Sequence, residues 1–116
     1  MDDDEAIVDA LSLVLIEEGY EVVAVPKAEK AVAQAKQFLP QVVLLDLLMS
    51  GYDGRDICKL LKQDETTKRI PIIMISAHPA AQKEALEAGA NDFLAKPFEV
   101  ADLLAKVREW TNSPLE

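Results

Sequence analysis

Residues 42–54, VVLLDLLMSGYDG, form an unbroken apolar run that leads into one carboxylate and then into a glycine-containing loop. Such a run is typical of a strand buried on both faces, as the parallel strands of α/β sheets are. Ligand sites in α/β proteins lie at the carboxyl ends of these strands. Asp46 stands at that end and is therefore a candidate for chemistry. From this stretch alone, it is equally good to interpret Asp46 as a residue that only ends the strand or caps the turn.

The length and composition of the chain indicate one globular domain with an acidic surface. The chain has 116 residues, 12 basic against 21 acidic side chains, and a formal net charge of −9. This balance argues against binding to nucleic acid or to an anionic membrane by the domain itself. We find no apolar run long enough to span a bilayer and no signal-peptide pattern. The single cysteine, Cys58, fits a reducing compartment and a core position, so we expect a cytoplasmic protein.

Strand-like and helix-like patterns alternate along the whole chain. Four strands are predicted, at residues 20–25, 41–45, 71–75 and 91–95. Amphipathic helices are predicted before, between and after them, with Leu39 in the second helix, Leu60 in the third and Val100 in the last among the buried positions. Regular alternation implies parallel strands joined by helical crossovers. The sequence therefore predicts a three-layer α/β sandwich.

Chemically distinctive residues follow the predicted strands, which end along one edge of such a sheet. They are Asp46, Ser76 and Lys96, and Asp2 and Asp3 precede the first helix. Three carboxylates brought together repel one another unless a cation lies among them. Oxygen ligands without a Cys/His cluster favour Mg²⁺ over zinc. With a lysine and a hydroxyl facing the same point, the chemistry indicated is phosphoryl transfer to an aspartate nucleophile.

The chain resembles the receiver domain of bacterial two-component response regulators, of the chemotaxis-regulator type, over essentially its whole length. Each motif is weak alone, but their order and spacing together are specific. The matching residues are Asp2-Asp3, Asp46 after VVLL, Asp53-Gly54, Ser76-Ala77 and Lys96-Pro97-Phe98.

This resemblance implies a phosphorylation site and a magnesium site. Asp46 is the implied phosphoacceptor, which attacks the phosphoryl group of a phosphohistidine. Asp3, Asp46 and the backbone carbonyl of Leu48 are the implied Mg²⁺ ligands, with Asp2 acting directly or through water.

The resemblance also implies a switch. Lys96 would pair with Asp46 at rest and with a phosphoryl oxygen afterwards, and the Ser76 hydroxyl would move to bind another phosphoryl oxygen. Phe93 matches the aromatic switch position. A cis peptide bond is implied between Lys96 and Pro97.

The implied partners are a sensor histidine kinase or a phosphotransfer protein, and an output domain or partner protein. The implied switch surface is the fourth helix, fifth strand and fifth helix, at about residues 80–110. Slow loss of the domain's own phosphoryl group is expected, but not catalysis on a separate substrate. A homodimer is left open.

The implied fold is flavodoxin-like and doubly wound, with strand order 2-1-3-4-5. Here the chain departs from the family, because only Met1 precedes the acidic pair where an apolar first strand is expected. We hypothesise a sheet that lacks this strand or is completed by another segment or copy. The predicted receiver domain covers residues 1–112, and residues 113–116 are a tail, a linker or a cloning scar.

Two other functions compete with the phosphoacceptor. A receiver-like interaction domain that works without phosphorylation would keep the fold and lose the metal. A phosphatase of the haloacid dehalogenase type would carry a second aspartate two residues after the nucleophile. Leu48 occupies that position, which argues against the phosphatase.

Overall fold

A computed structural model describes residues 5–22, 30–49, 52–78, 81–96 and 98–111. Helices and strands alternate through most of this range, and none of the described helices is both long enough and apolar enough to cross a membrane. In chain order the elements are α1 (Glu5–Glu17), α2 (Ala31–Phe38), β1 (Val43–Asp46), β2 (Leu48–Met49), β3 (Tyr52–Asp53), α3 (Gly54–Gln63), β4 (Ile72–Ser76), α4 (Ala81–Glu87), β5 (Asp92–Ala95) and α5 (Val100–Thr111).

The main sheet has three parallel strands in the order β1-β4-β5. Strand β4 is central, and all five of its residues are buried. Its side chains alternate between the two faces, with Ile72 and Met74 in one core cluster and Ile73 and Ile75 in the other. Because β4 is covered on both faces, its sequence is continuously apolar and does not alternate with polar residues.

Helices cover both faces of this sheet. The first core cluster joins one face to α2, α3 and α4, and the second joins the other face to α1 and α5. The predicted three-layer α/β sandwich is confirmed, and with it the doubly wound, flavodoxin-like class.

The predicted strand at residues 20–25 is only partly covered by the described residues. Residues 20–22 have no strand conformation, and the rest of the predicted strand at residues 20–25 lies outside the described residues. Within the described part of the chain no strand precedes β1, so the sheet shows strands that correspond to positions 3, 4 and 5 of the implied 2-1-3-4-5 order. The hypothesis about the first strand concerns the chain before Glu5, which lies outside the described residues, and it stays a prediction.

Helix α4 packs against the core through its own small side chains. Ala81 and Ala85, with Ala88 directly after the helix, are the residues that it buries against the core. By contrast, α3 buries Ile57 and Leu61. Since an alanine buries only one methyl group, α4 contributes less apolar contact to the core than α3 does.

Candidate functional site

The predicted phosphoacceptor and the predicted lysine meet at the carboxyl ends of the strands. Asp46 is the last residue of β1, and Lys96 directly follows β5. The Lys96 Nζ lies 3.3 Å from Asp46 Oδ2, and the two side chains are 24% and 13% exposed. The pair therefore lies in a partly screened position at the sheet edge, where a cation can stabilise added negative charge.

Ser76 lies on the strand between them. It is the last residue of β4, which separates β1 from β5, and it is only 3% exposed. Its backbone carbonyl accepts a 2.8 Å hydrogen bond from the Lys96 amide. Its hydroxyl Oγ accepts a 3.1 Å hydrogen bond from the His78 amide. The structure thus brings the hydroxyl, the lysine and the aspartate to one edge, as the order of the predicted strands required.

The loop after Asp46 is held against the end of β1 by backbone contacts. The Leu47 amide donates to the Ile75 carbonyl at 2.9 Å, and the Gly54 amide donates to the Leu47 carbonyl at 2.6 Å. A Cβ atom added at Gly54 would overlap the Asp46 carbonyl and would lie 2.9 Å from Leu47 Cα. Glycine is needed here because the loop approaches the strand so closely.

Within this loop, β2 and β3 form a short antiparallel ribbon that the sequence did not predict. Leu48 is paired with Asp53 across it, so the backbone at the predicted carbonyl ligand is fixed by the ladder. Asp53 then caps α3, because its Oδ1 accepts a 2.9 Å hydrogen bond from the Arg55 amide. The Arg55 guanidinium also bonds this carboxylate, which holds the pKa of Asp53 below its usual value.

The remaining predicted site residues are placed only in part. Phe93 lies in β5, half-buried, and packs against the cluster that includes α4. Asp2, Asp3 and Pro97 lie outside the described residues, so the predicted acidic pair and the predicted cis peptide bond lie outside them too. Among the residues that the structure describes, no three His, Cys, Asp or Glu side chains are grouped closely enough to hold a metal.

Comparison with known families decides what this arrangement belongs to. The family model for the response regulator receiver domain matches residues 1–108. The chain belongs to the response regulator receiver domain family.

Individual receiver-containing proteins agree with this assignment. The chain is 41% identical over 117 residues to the response regulator PleD of Caulobacter vibrioides, which includes 99% of this chain and 26% of PleD. It is 39% identical over 110 residues to the DNA-binding dual master transcriptional regulator RpaA of Synechocystis, which includes 93% of this chain and 46% of RpaA. The chain therefore spans about a quarter of the first relative and less than half of the second.

Solved receiver structures share the fold closely. A response regulator from Chloroflexus aurantiacus superimposes with a TM-score of 0.91 at 38% identity, over 97% of this chain and 94% of that one. The receiver domain of the sensor histidine kinase PA1611 from Pseudomonas aeruginosa has a TM-score of 0.89 at 29% identity, over the same shares of the two chains. That structure carries a magnesium ion coordinated in its active-site cleft.

One polar cluster of this receiver domain was missed by the sequence reasoning. Asp92, at the start of β5, accepts 2.9 Å hydrogen bonds from Trp110 Nε1 and Lys106 Nζ of α5 and a 2.8 Å bond from the Phe93 amide. Partial burial raises the pKa of Asp92, but these donors outweigh it, and the pKa is lowered overall. The available signal was the tryptophan itself, because a packed indole N–H needs an acceptor.

Proposed function

We propose that this receiver domain accepts a phosphoryl group on Asp46 from a phosphohistidine of a sensor histidine kinase or a phosphotransfer protein. The observation that carries the proposal is the Asp46–Lys96 pair beside the buried Ser76 at one sheet edge. In the transfer, an Asp46 carboxylate oxygen forms the new bond to phosphorus while the phosphorus–nitrogen bond of the donor breaks. The departing imidazole keeps the electron pair of that bond and takes up a proton.

Lys96 and Ser76 have complementary roles in this proposal. Phosphorylation converts one carboxylate into a group that carries about −1.5 to −2 charge and three acceptor oxygens. The Lys96 ammonium, already beside Asp46, would pair with one phosphoryl oxygen. The Ser76 hydroxyl can donate to another, since its oxygen at present accepts from His78 and its own proton can be redirected.

Magnesium is the proposed cofactor. The donors that the described residues offer are the Asp46 carboxylate and the Leu48 carbonyl, which are the hard oxygen ligands that Mg²⁺ prefers. Asp2 and Asp3 are the proposed further ligands. When bound, the ion would neutralise negative charge on the incoming phosphoryl group. The magnesium-containing PA1611 receiver supports this assignment by similarity.

The proposed output is a change in the face formed by α4, β5 and α5. Phe93 lies in this face and packs beside α4, so a shift of the Ser76 hydroxyl and of the β4–α4 loop would reach it. The partner is an output domain or a separate protein, and we propose a cytoplasmic location, which the reduced Cys58 supports. The domain would slowly lose its own phosphoryl group without acting on a separate substrate.

A labelling experiment tests the phosphoacceptor. Wild-type protein, Asp46→Asn and the matched control Asp56→Asn, an exposed aspartate of α3, are incubated with acetyl phosphate with and without Mg²⁺. We expect Mg²⁺-dependent addition of one phosphoryl group to the wild type and to Asp56→Asn, measured by intact mass. Equal labelling of wild type and Asp46→Asn would refute the assignment of Asp46.

The alternative is a receiver-like interaction domain that works without phosphorylation. One observation favours it, because the described residues contain no group of three or more His, Cys, Asp or Glu side chains that could hold a metal ion. It predicts no labelling of the wild type under any metal condition and unchanged partner binding by Asp46→Asn. The same experiment, combined with a binding measurement, separates the two functions.

A further inference from the structure

Arg55 joins two acidic residues that belong to different parts of the domain. Its Nε lies 2.9 Å from Asp53 Oδ2, at the end of the loop that follows Asp46. Its Nη1 lies 3.1 Å from Glu84 Oε2, in the first turn of α4. In the part of the chain that the structure describes, this is the only ion pair between α4 and another element. A single guanidinium therefore bridges the loop and the helix.

A chain of contacts leads from Asp46 to Arg55. The Asp46 carbonyl lies against Gly54, whose amide bonds the Leu47 carbonyl at 2.6 Å. Asp53, the residue before that glycine, is held by the Arg55 guanidinium and the Arg55 amide. These contacts offer a route by which a displacement of the backbone at Asp46 would reach the guanidinium that contacts α4.

A second chain of contacts reaches the start of α4 from the other side of the site. The Ser76 hydroxyl accepts from the His78 amide, and the His78 carbonyl accepts from the Ala81 amide at 3.1 Å. Ala81 is the first residue of α4. If the Ser76 side chain changes rotamer so that its oxygen moves towards the phosphoryl group, the His78 amide loses this acceptor, and the segment that leads into α4 loses one of its hydrogen bonds.

We propose that Arg55 is a positioning residue that holds α4 in its resting place through Glu84, and that phosphorylation of Asp46 breaks this ion pair. The inference rests on the proposed function of Asp46. The alanine contacts under α4 make the helix easy to displace, because little apolar area is lost when it moves. Both chains of contacts reach α4, the first through this ion pair and the second at Ala81, so loss of the ion pair together with the change at Ser76 releases the helix.

The test is a double-mutant cycle performed in two states. Arg55→Met, Glu84→Gln and the double variant are compared with wild type by hydrogen exchange of the α4 amides. Each is measured at rest and with excess acetyl phosphate and Mg²⁺, while intact mass reports the fraction phosphorylated. The loss of the Arg55–Asp53 contact cancels in the cycle, because it occurs in both variants that lack Arg55. Glu87→Gln, an exposed acid on the same helix, controls for the change in charge.

At rest, we expect each single variant to exchange about 1.4- to 5-fold faster in α4, the range for an exposed ion pair. The double variant should exchange no faster than the faster single variant. The coupling factor is the effect of Glu84→Gln on the exchange rate in the wild-type background, divided by its effect in the Arg55→Met background. In the phosphorylated state this factor should fall to about 1. Glu87→Gln should show no coupling to Arg55→Met in either state.

The outcomes are separable. Independent effects of Arg55→Met and Glu84→Gln at rest would overturn the inference, because the two side chains would then not be coupled. The same coupling factor in both states would also overturn it, since the pair would then be structural only. Absence of label on Asp46 would overturn the proposed function, whereas label on Asp46 with unchanged coupling would overturn only the inference about Arg55.

Discussion

Gly54→Ala is the substitution that most directly tests how the loop is held against Asp46. The new methyl group would overlap the Asp46 carbonyl and lie 2.9 Å from the Leu47 carbonyl oxygen. Relief of this overlap requires the loop to move away from the strand, which stretches the hydrogen bond from the Gly54 amide to the Leu47 carbonyl. Both contacts involve backbone atoms, which cannot swing aside as a flexible side chain could.

Destabilising and stabilising contributions together set the change in the free energy of unfolding. Overpacking of this kind costs about 1–3 kcal/mol, and a lost hydrogen bond costs about 0.5–1.5 kcal/mol. Alanine is favoured over glycine in a helix by about 1 kcal/mol, and Gly54 is the first residue of α3. The steric term is larger, so we expect Gly54→Ala to lower the free energy of unfolding by about 2 kcal/mol.

The assay is urea unfolding followed by the fluorescence of the single tryptophan, Trp110. Gly19→Ala is the control, because Gly19 has φ +94° and no heavy atom within 4 Å of an added Cβ. That variant should lose roughly 1–2 kcal/mol from backbone strain alone and keep full labelling by acetyl phosphate. Gly54→Ala should lose both stability and labelling. A Gly54→Ala protein as stable as the wild type, with unchanged labelling, would refute the close-approach argument.

Four further outcomes follow from buried and half-buried groups. Asp92→Asn should flatten the pH dependence of urea unfolding in acid: the folded-state pKa of Asp92 is lowered, so its stabilisation is complete above about pH 4 and is lost as the pH falls towards that lowered pKa. Trp110→Phe should cost about 1–2 kcal/mol at neutral pH, since it removes one donor to that carboxylate. Because this variant lacks the only tryptophan, its urea unfolding and that of the wild type are followed by far-UV circular dichroism, and a cost of zero would contradict the prediction. Cys58 is fully buried and burial raises the pKa of its thiol, so a thiol reagent should modify it only after the domain opens; modification at the same rate with and without denaturant would contradict this. Leu45→Ala should destabilise the domain by about 2–5 kcal/mol, read from the urea midpoint, because Leu45 is fully buried in the larger core cluster.

The sheet and the strand-end residues could be predicted because they leave strong local signals. The unbroken run at residues 71–75 indicated a strand covered on both faces, and β4 is buried throughout. Once the strands were ordered, parallel pairing placed Asp46, Ser76 and Lys96 at one edge without any knowledge of loop geometry. These predictions depended on the period of apolar residues and on chain direction, both of which are written in the sequence.

Other features could not be predicted because they depend on tertiary position. Leu60 and Val100 are predicted at buried positions, yet they are 54% and 50% exposed. Leu60 lies at the edge of the apolar stripe of α3, and Val100 is the first residue of α5, at the end of that helix. Leu39 was assigned to the second helix, but α2 ends at Phe38 and Leu39 adopts a left-handed cap conformation with φ 46°. Each assignment used helical spacing alone, which does not show where the neighbouring layer ends.

The missed contacts have a different cause. The β2–β3 ribbon consists of strands of two residues each, which are too short to show any periodicity. The contact between Asp92 and Trp110 spans 18 residues and depends on how α5 crosses the start of β5. Neither feature changes the local hydrophobic pattern, so neither could be recognised before the elements were assembled.

The alanines beneath α4 have a consequence for engineering. Ala85 is completely buried, and each larger aliphatic residue placed there would lift the helix further from the sheet. A graded series from alanine to valine to leucine would therefore act as a set of spacers of increasing thickness. In a biosensor built on this domain, such spacers would set the free energy needed to displace α4 from the core, without any change to the reactive residues.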